Sequence, residues 1–190
     1  MKRLLVWILV FAAAACATTA PAQLQKDAAK QILDRAVADY QAERYTEAWP
    51  AFRQAQALGH VKAPRYIGLM YLNGLGVEKN AARAFDAFQT AADQGDITAQ
   101  YWLGYLYQHG IGTAQHDAQA LKWCRISAQR GDHIAAPAML ALGRMYGQGQ
   151  GVAADGVAAR IWYEKAAAAG DETVQQQARQ ELARLDSGVR

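Results

Sequence analysis

From residue 27 onward the apolar positions recur at intervals of three and four, the period of a helix with one buried face. Ala63, Ile67, Met70 and Tyr71 make one stripe and Ala99, Leu103, Leu106 and Tyr107 another, and a Gly-x-Gly pair follows each. Residues 27–43 and 45–58 carry helical patterning without such a pair between them, which predicts a plain helical hairpin at that end. At the other end Val174, Ala178, Leu182 and Leu185 line one face of a segment otherwise set with Gln, Arg and Glu. One apolar and one polar face is what a helix needs to close a stack against water.

The stripes are in phase. Residues 67–77 recur at 103–113 and again at 142–152, 36 and 39 residues apart. A second signature keeps step at 84–95, 120–131 and 159–170, and appears once earlier at 48–59. Gly59 to Gly68 and Gly95 to Gly104 are both nine residues, whereas Gly131 to Gly143 is twelve. Three extra residues therefore fall around 133–137, where they lengthen a loop or add most of a helical turn.

Each unit reads as two helices and a turn. Gly68, Gly104 and Gly143 interrupt the first helix at a cost of about 1 kcal/mol each relative to alanine, and a close helix approach with no room for a Cβ is the expected compensation. The pairs Gly74/Gly76, Gly110/Gly112 and Gly149/Gly151 end that helix and permit a left-handed turn. Asn80 and Asp155 stand where N-caps of the second helix belong, and His116 takes that place in the middle unit with Asp117 beside it. Gly95-Asp96, Gly131-Asp132 and Gly170-Asp171 each join a helix-ending glycine to an acidic start for the next helix.

The joint pattern, Leu-Gly-x-Met-Tyr-x-x-Gly-x-Gly-Val and then Trp-Tyr-x-Lys-Ala-Ala-x-x-Gly, is clearest in residues 142–170 and resembles the Sel-one-like repeat, a subclass of the tetratricopeptide superfamily. The resemblance covers three units. It implies an all-α, right-handed superhelical solenoid of antiparallel helix hairpins that acts as a scaffold or adaptor in assembling protein complexes. Bacterial members are often exported, sometimes as lipoproteins, and some serve envelope polysaccharide machinery. The family has no shared catalytic residues to carry over. The expected organisation is a leader at 1–22, a tetratricopeptide-like hairpin at 23–60, repeats at 61–96, 97–132 and 133–171, and a capping helix and tail at 172–190.

Composition fits an all-α chain, with 42 alanines and only two serines in 190 residues. The leader reading rests on Lys2 and Arg3, an unbroken apolar run over residues 4–15 and then small residues, which together resemble a secretory signal peptide. Twelve apolar residues are too few to span a bilayer. Two processing readings stay open: cleavage after Ala22, or a lipoprotein signal over residues 1–15 with Cys16 as the lipidated first residue. Both address the mature chain to the periplasm, soluble or lipid-anchored. Either leaves Cys124 as the one thiol of the folded part, so no internal disulfide forms, and a buried apolar role is expected for it. Without Lys2 and Arg3 the chain carries 18 Lys and Arg against 17 Asp and Glu, a balance that does not point to nucleic acid.

Catalytic and metal chemistry find little support. Gly147 to Gly151 looks like a phosphate loop, but it follows a helix and Val152 stands where a third glycine belongs. No histidine pair has the i, i+4 spacing of a helical metal site, Ser127 stands at the position of Ala91 and Ala166, and Trp49, Trp123 and Trp162 sit at recurring packing positions. No cofactor, metal or catalytic residue is assigned. What remains is the concave side of the stack, lined by the first helix of each hairpin. Counting from the mid-helix glycines places Lys62, Arg65, Leu69 and Leu72 there, then Thr98, Tyr101, Tyr105 and Gln108, then Leu140 and Arg144. Tyrosine and arginine dominate interface hot spots, so this strip is the expected site for a protein partner. The alternative is an envelope hydrolase or polysaccharide-modifying enzyme in which a groove carboxylate and a histidine act together.

Overall fold

A computed structural model describes residues 2–187, with side chains described from Pro21 onward, so the leader's apolar run and Cys16 lie outside the described side chains. The described residues form helices and turns without a strand: α1 (Lys2–Gln41), α2 (Tyr45–Ala57), α3 (Ala63–Asn73), α4 (Ala81–Asp93), α5 (Ile97–His109), α6 (Asp117–Ala128), α7 (Ala136–Gln148), α8 (Gly156–Ala169) and α9 (Glu172–Asp186). Among the described residues no helix is long and apolar enough to cross a membrane. The chain divides into two compact units, Met1–Ala63 and Pro64–Arg190.

In the first unit α1 packs on α2, with the Tyr40 ring set edge-on to Tyr45 at 5.4 Å and to Phe52 at 6.1 Å. The chain turns between them at Glu43, which takes a left-handed conformation (φ 59°) where the later units use glycine. Arg44 follows, and its guanidinium pairs with Asp39 at 2.7 Å.

The second unit is the repeat array. Helices α5 and α6 form one hairpin and α7 and α8 another, α4 packs on α5, α6 packs on α7, and α9 lies against α8 and α7. Each hairpin closes through its mid-helix glycine. A Cβ at Gly68 would stand 2.9 Å from the Phe88 ring, one at Gly104 2.7 Å from Cys124 Sγ, and one at Gly143 2.4 Å from the Tyr163 ring. Phe88, Cys124 and Tyr163 hold the same place in the second helix, and all three are buried. The glycine's helix cost is thus offset by the knob it admits. Cys124 is one of these knobs, and burial pushes its thiol up to about 12.

After α5 the backbone passes through left-handed Gly110 (φ 63°) and Gly112 (φ 72°), while Ile111 N–H donates to Leu106 O at 3.0 Å and His116 N–H to Tyr107 O at 2.9 Å. Gly112 meets two demands at once, because a Cβ there would also overlap the Ala81 carbonyl at the start of α4. A Cβ at Gly151 would likewise crowd the Asp117 carbonyl at the start of α6, at 2.5 Å. Adjacent units therefore touch through main chain.

The caps form as their spacing predicts, with two departures. Asn80 accepts from Arg83 N–H, Asp155 from Val157 and Ala158 N–H, and His116 Nδ1 from Gln119 N–H at a long 3.4 Å. Asp96 caps α5 and Asp171 caps α9. Asp132 caps no helix directly. The three extra residues form a separate turn that its carboxylate holds through Ile134 and Ala135 N–H, and α7 starts beyond it with Pro137 in its first turn. Gly170 is the second departure. Unlike Gly95 and Gly131 it is not left-handed (φ −72°), and it is small because a Cβ would stand 2.7 Å from Val174.

Candidate functional site

The residues selected along the first helices separate into two groups. In the first repeat, Arg65 lies along the second unit's own interior. Its guanidinium reaches Asp96 at 3.4 Å and covers the Tyr66 ring at 4.7 Å, and its side chain is only 14% exposed against 3% for Asp96. Leu69 and Leu72 pack against the apolar cluster built on Phe88, Leu103 and Leu106. Thr98 is half-buried near the start of α5. Lys62 belongs to the first unit, where its N–H donates to His60 Nδ1 at 3.2 Å. None of these five lines the cleft that the other selected residues form.

The remaining five come together. Tyr101, Tyr105 and Gln108 of α5 and Leu140 and Arg144 of α7 surround one cleft of about 400 Å³. Its other wall is α9, which adds Thr173, Val174 and Gln177. His109, Pro137, Ala141, Gln148 and Gln150 complete it. Sequence reasoning missed these last residues for two reasons. His109 lies one residue past Gln108, the last position counted in α5, Gln148 lies four past Arg144, the last counted in α7, and the α9 residues lie outside the repeat altogether.

The cleft is held in shape by contacts around its rim. Gln108 Nε2 donates to Gln150 Oε1 at 2.6 Å and ties α5 to the turn after α7. His109 Nδ1 donates to the Tyr105 carbonyl at 2.9 Å, and its ring lies 4.1 Å from the Tyr105 ring at a 31° tilt. Trp102 stands edge-on to Tyr105 at 5.6 Å. Arg144 Nε donates to Glu181 Oε1 at 3.1 Å, and the other oxygen of Glu181 accepts from Arg184 Nη1 at 3.2 Å. Burial raises the Tyr101 hydroxyl above its usual range, with Cys124 and Tyr105 adding to the rise and Arg144 opposing it. Tyr101 therefore stays protonated as a hydrogen-bond donor at neutral pH.

No Asp or Glu lines this cleft, so it does not set a carboxylate beside His109. A second cleft, of about 650 Å³, opens at the ends of α6 and α8 beside the extra turn and contains both Asp132 and His133. There the Asp132 carboxylate is already held by Arg130 Nε at 2.5 Å and by two backbone N–H groups, and Arg130 keeps it below the usual carboxylate range. The Lys165 ammonium in the same cleft rests over the Trp162 ring at 4.5 Å. Ser127 is buried and donates to the Ile97 carbonyl at 2.9 Å, a packing role. Among the described residues no three His, Cys, Asp or Glu side chains gather closely enough to hold a metal ion.

The family model described as Sel1 repeat matches residues 63–96, 97–132 and 136–171. Among solved structures the chain is similar to c5321, a protective antigen present in uropathogenic Escherichia coli strains that displays an SLR fold. The identity is 34% with a TM-score of 0.70, over 80% of this chain and 34% of that one. It is similar also to a Sel1 repeat protein from Oxalobacter formigenes, with 32% identity and a TM-score of 0.68, over 75% of this chain and 57% of that one. The chain thus spans about a third and somewhat over half of these two proteins' lengths. No curated protein matches it.

Proposed function

The chain belongs to the Sel1 repeat family, whose repeats generally mediate protein–protein interaction, and on that premise we propose that it is a non-catalytic adaptor of the bacterial cell envelope that captures a partner protein in the α5/α7/α9 cleft. One observation carries this reading. Five side chains selected from three registers of the repeat meet around a single cleft whose walls are three separate helices. Tyrosine and arginine at such a place supply large contact area at low entropy cost. The basic start and apolar run of residues 2–15 support export, to a soluble periplasmic form or one tethered through Cys16.

The test is crosslinking in living cells with the full chain carrying a C-terminal tag, followed by mass spectrometry of captured proteins and of the mature N-terminus. Capture of a reproducible envelope protein, lost on Tyr101→Ala/Tyr105→Ala with the circular dichroism unchanged, is expected. Capture that survives the double variant would place the partner elsewhere on the chain. An N-terminus at Met1 would sink the export reading.

A further inference from the structure

The cleft's lining has a charge and a hydrogen-bonding character of its own. Arg144 and His109 are its only lining residues with basic side chains, and no Asp or Glu lines the cleft beside them. Glu181 holds Arg144 through Nε alone, which leaves both Nη groups for an occupant. Glu181 also serves Arg184, so two guanidinium groups share one carboxylate and the trio keeps one positive charge. A guanidinium fixed at Nε with its outer edge free is arranged to accept a carboxylate.

The neutral part of the lining speaks to the occupant's backbone. Gln108, Gln148, Gln150 and Gln177 bring four side-chain amides, each able to donate and to accept. A helix or a sheet strand has spent its main-chain groups, whereas an extended segment presents unpaired N–H and C=O groups that such amides satisfy. A sugar would need an open aromatic face. Tyr105 offers little of one, being covered on one face by His109 and met edge-on by Trp102, and Tyr101 is half-buried with its ring beside Trp102. Resting on the adaptor reading above, we infer that the cleft binds an extended, acidic peptide segment of the partner, with an Asp or Glu carboxylate on Arg144 and the backbone amides on the glutamines.

The experiment is fluorescence anisotropy of the full chain with a dye-labelled Ser–Glu repeat peptide, its Ser–Gln counterpart and a Ser–Lys counterpart, at low ionic strength where screening is weakest. The Ser–Glu peptide is expected to bind about tenfold more tightly than Ser–Gln, the scale of one charge-assisted bidentate contact. Arg144→Gln should abolish that preference, Arg144→Lys should keep part of it, and Glu181→Gln should strengthen it. Circular dichroism of Arg144→Gln checks the fold, and Glu181 still has Arg184 as a partner in that variant. Equal binding of the Ser–Glu and Ser–Gln peptides, lost on Tyr101→Ala, would overturn the acidic segment and leave the cleft as a protein site. Failure of all three peptides overturns the inference, and the crosslinking experiment then judges the adaptor reading by itself. Binding of oligogalacturonate without the Ser–Glu peptide would overturn it in favour of an acidic glycan.

Discussion

Arg65 in α3 and Tyr101 in α5 stand at the same register, three residues before the mid-helix glycine, yet Arg65 is closed against its neighbour while Tyr101 faces a cleft. The difference comes from the unit that follows. Arg65 meets Asp96, the N-cap of α5, and the two charges close the space between them. The residue that would play this part for Tyr101 is Asp132, but the three extra residues make it the cap of a separate turn ahead of α7. At the next register Leu69 and Tyr105 both pack against the same apolar cluster, but Tyr105, with Arg144 of the following repeat, also lines the opening. In a repeat array a position becomes interior or surface according to the next unit, and its own sequence decides only what it offers there.

The contrast can be attacked at three strengths. The strongest blow is Gly143→Ala, since the new Cβ would stand 2.4 Å from the ring of buried Tyr163, too close for any real contact. A loss of about 3 kcal/mol is expected from such overpacking, read as a shift in the urea midpoint, and peptide binding should weaken because α7 carries Leu140 and Arg144. An unshifted midpoint would mean that α7 and α8 are not closed by this contact.

Next come the two arginines, compared directly. Arg65→Ala strips a buried carboxylate of its ion-pair partner and should cost about 2 kcal/mol while leaving peptide binding unchanged. Arg144 is 40% exposed and its acceptor retains Arg184, so Arg144→Ala should cost under about 0.5 kcal/mol and act on binding instead. Equal stability losses, or a binding defect in Arg65→Ala, would erase the distinction between a closed face and an open one.

The mildest test uses the hairpin contact of the middle repeat. The Cys124 thiol ionises at about 12 when folded against an ordinary value of 9.0, so the native state keeps a proton that the unfolded chain releases. Its contribution is complete below pH 9 and is lost as the pH climbs from there toward 12, by about 1 kcal/mol at pH 10. Chemical denaturation at pH 8 and pH 10 should show this loss in the parent chain and not in Cys124→Ala. Parallel behaviour of the two proteins would mean that the thiol is not sealed.

The array itself was legible because its signals are local. A glycine two residues from another, an Asn or Asp three residues before the N–H it caps, and a stripe of small residues all act within one turn of chain, and Gly110, Gly112, Asn80 and Asp155 behave as their spacing predicts. Gly68, Gly104 and Gly143 were readable as close approaches, but their partners Phe88, Cys124 and Tyr163 lie about twenty residues away and came only with the fold. The cleft was half legible. Repeat registers named Tyr101, Tyr105, Gln108, Leu140 and Arg144, while the pairing of Arg65 with Asp96 and the wall supplied by α9 depend on contacts between units. Gly170 shows the same limit, since its smallness answers to Val174 rather than to a turn.

The seats of Gly112 on the Ala81 carbonyl and of Gly151 on the Asp117 carbonyl have a bearing on how such a chain can grow. Both contacts are made by main chain, so neither depends on which side chain stands at the seat, and alanine serves in one case as aspartate does in the other. A tandem duplication of residues 96–131 would rest its own Gly112 on the Asp117 carbonyl before it, the seat now taken by Gly151, and would offer Gly151 an identical seat one unit further on. Whole units can thus be gained or lost by recombination with these two main-chain seats intact, and the side chains beside them are left to adapt to the new neighbour.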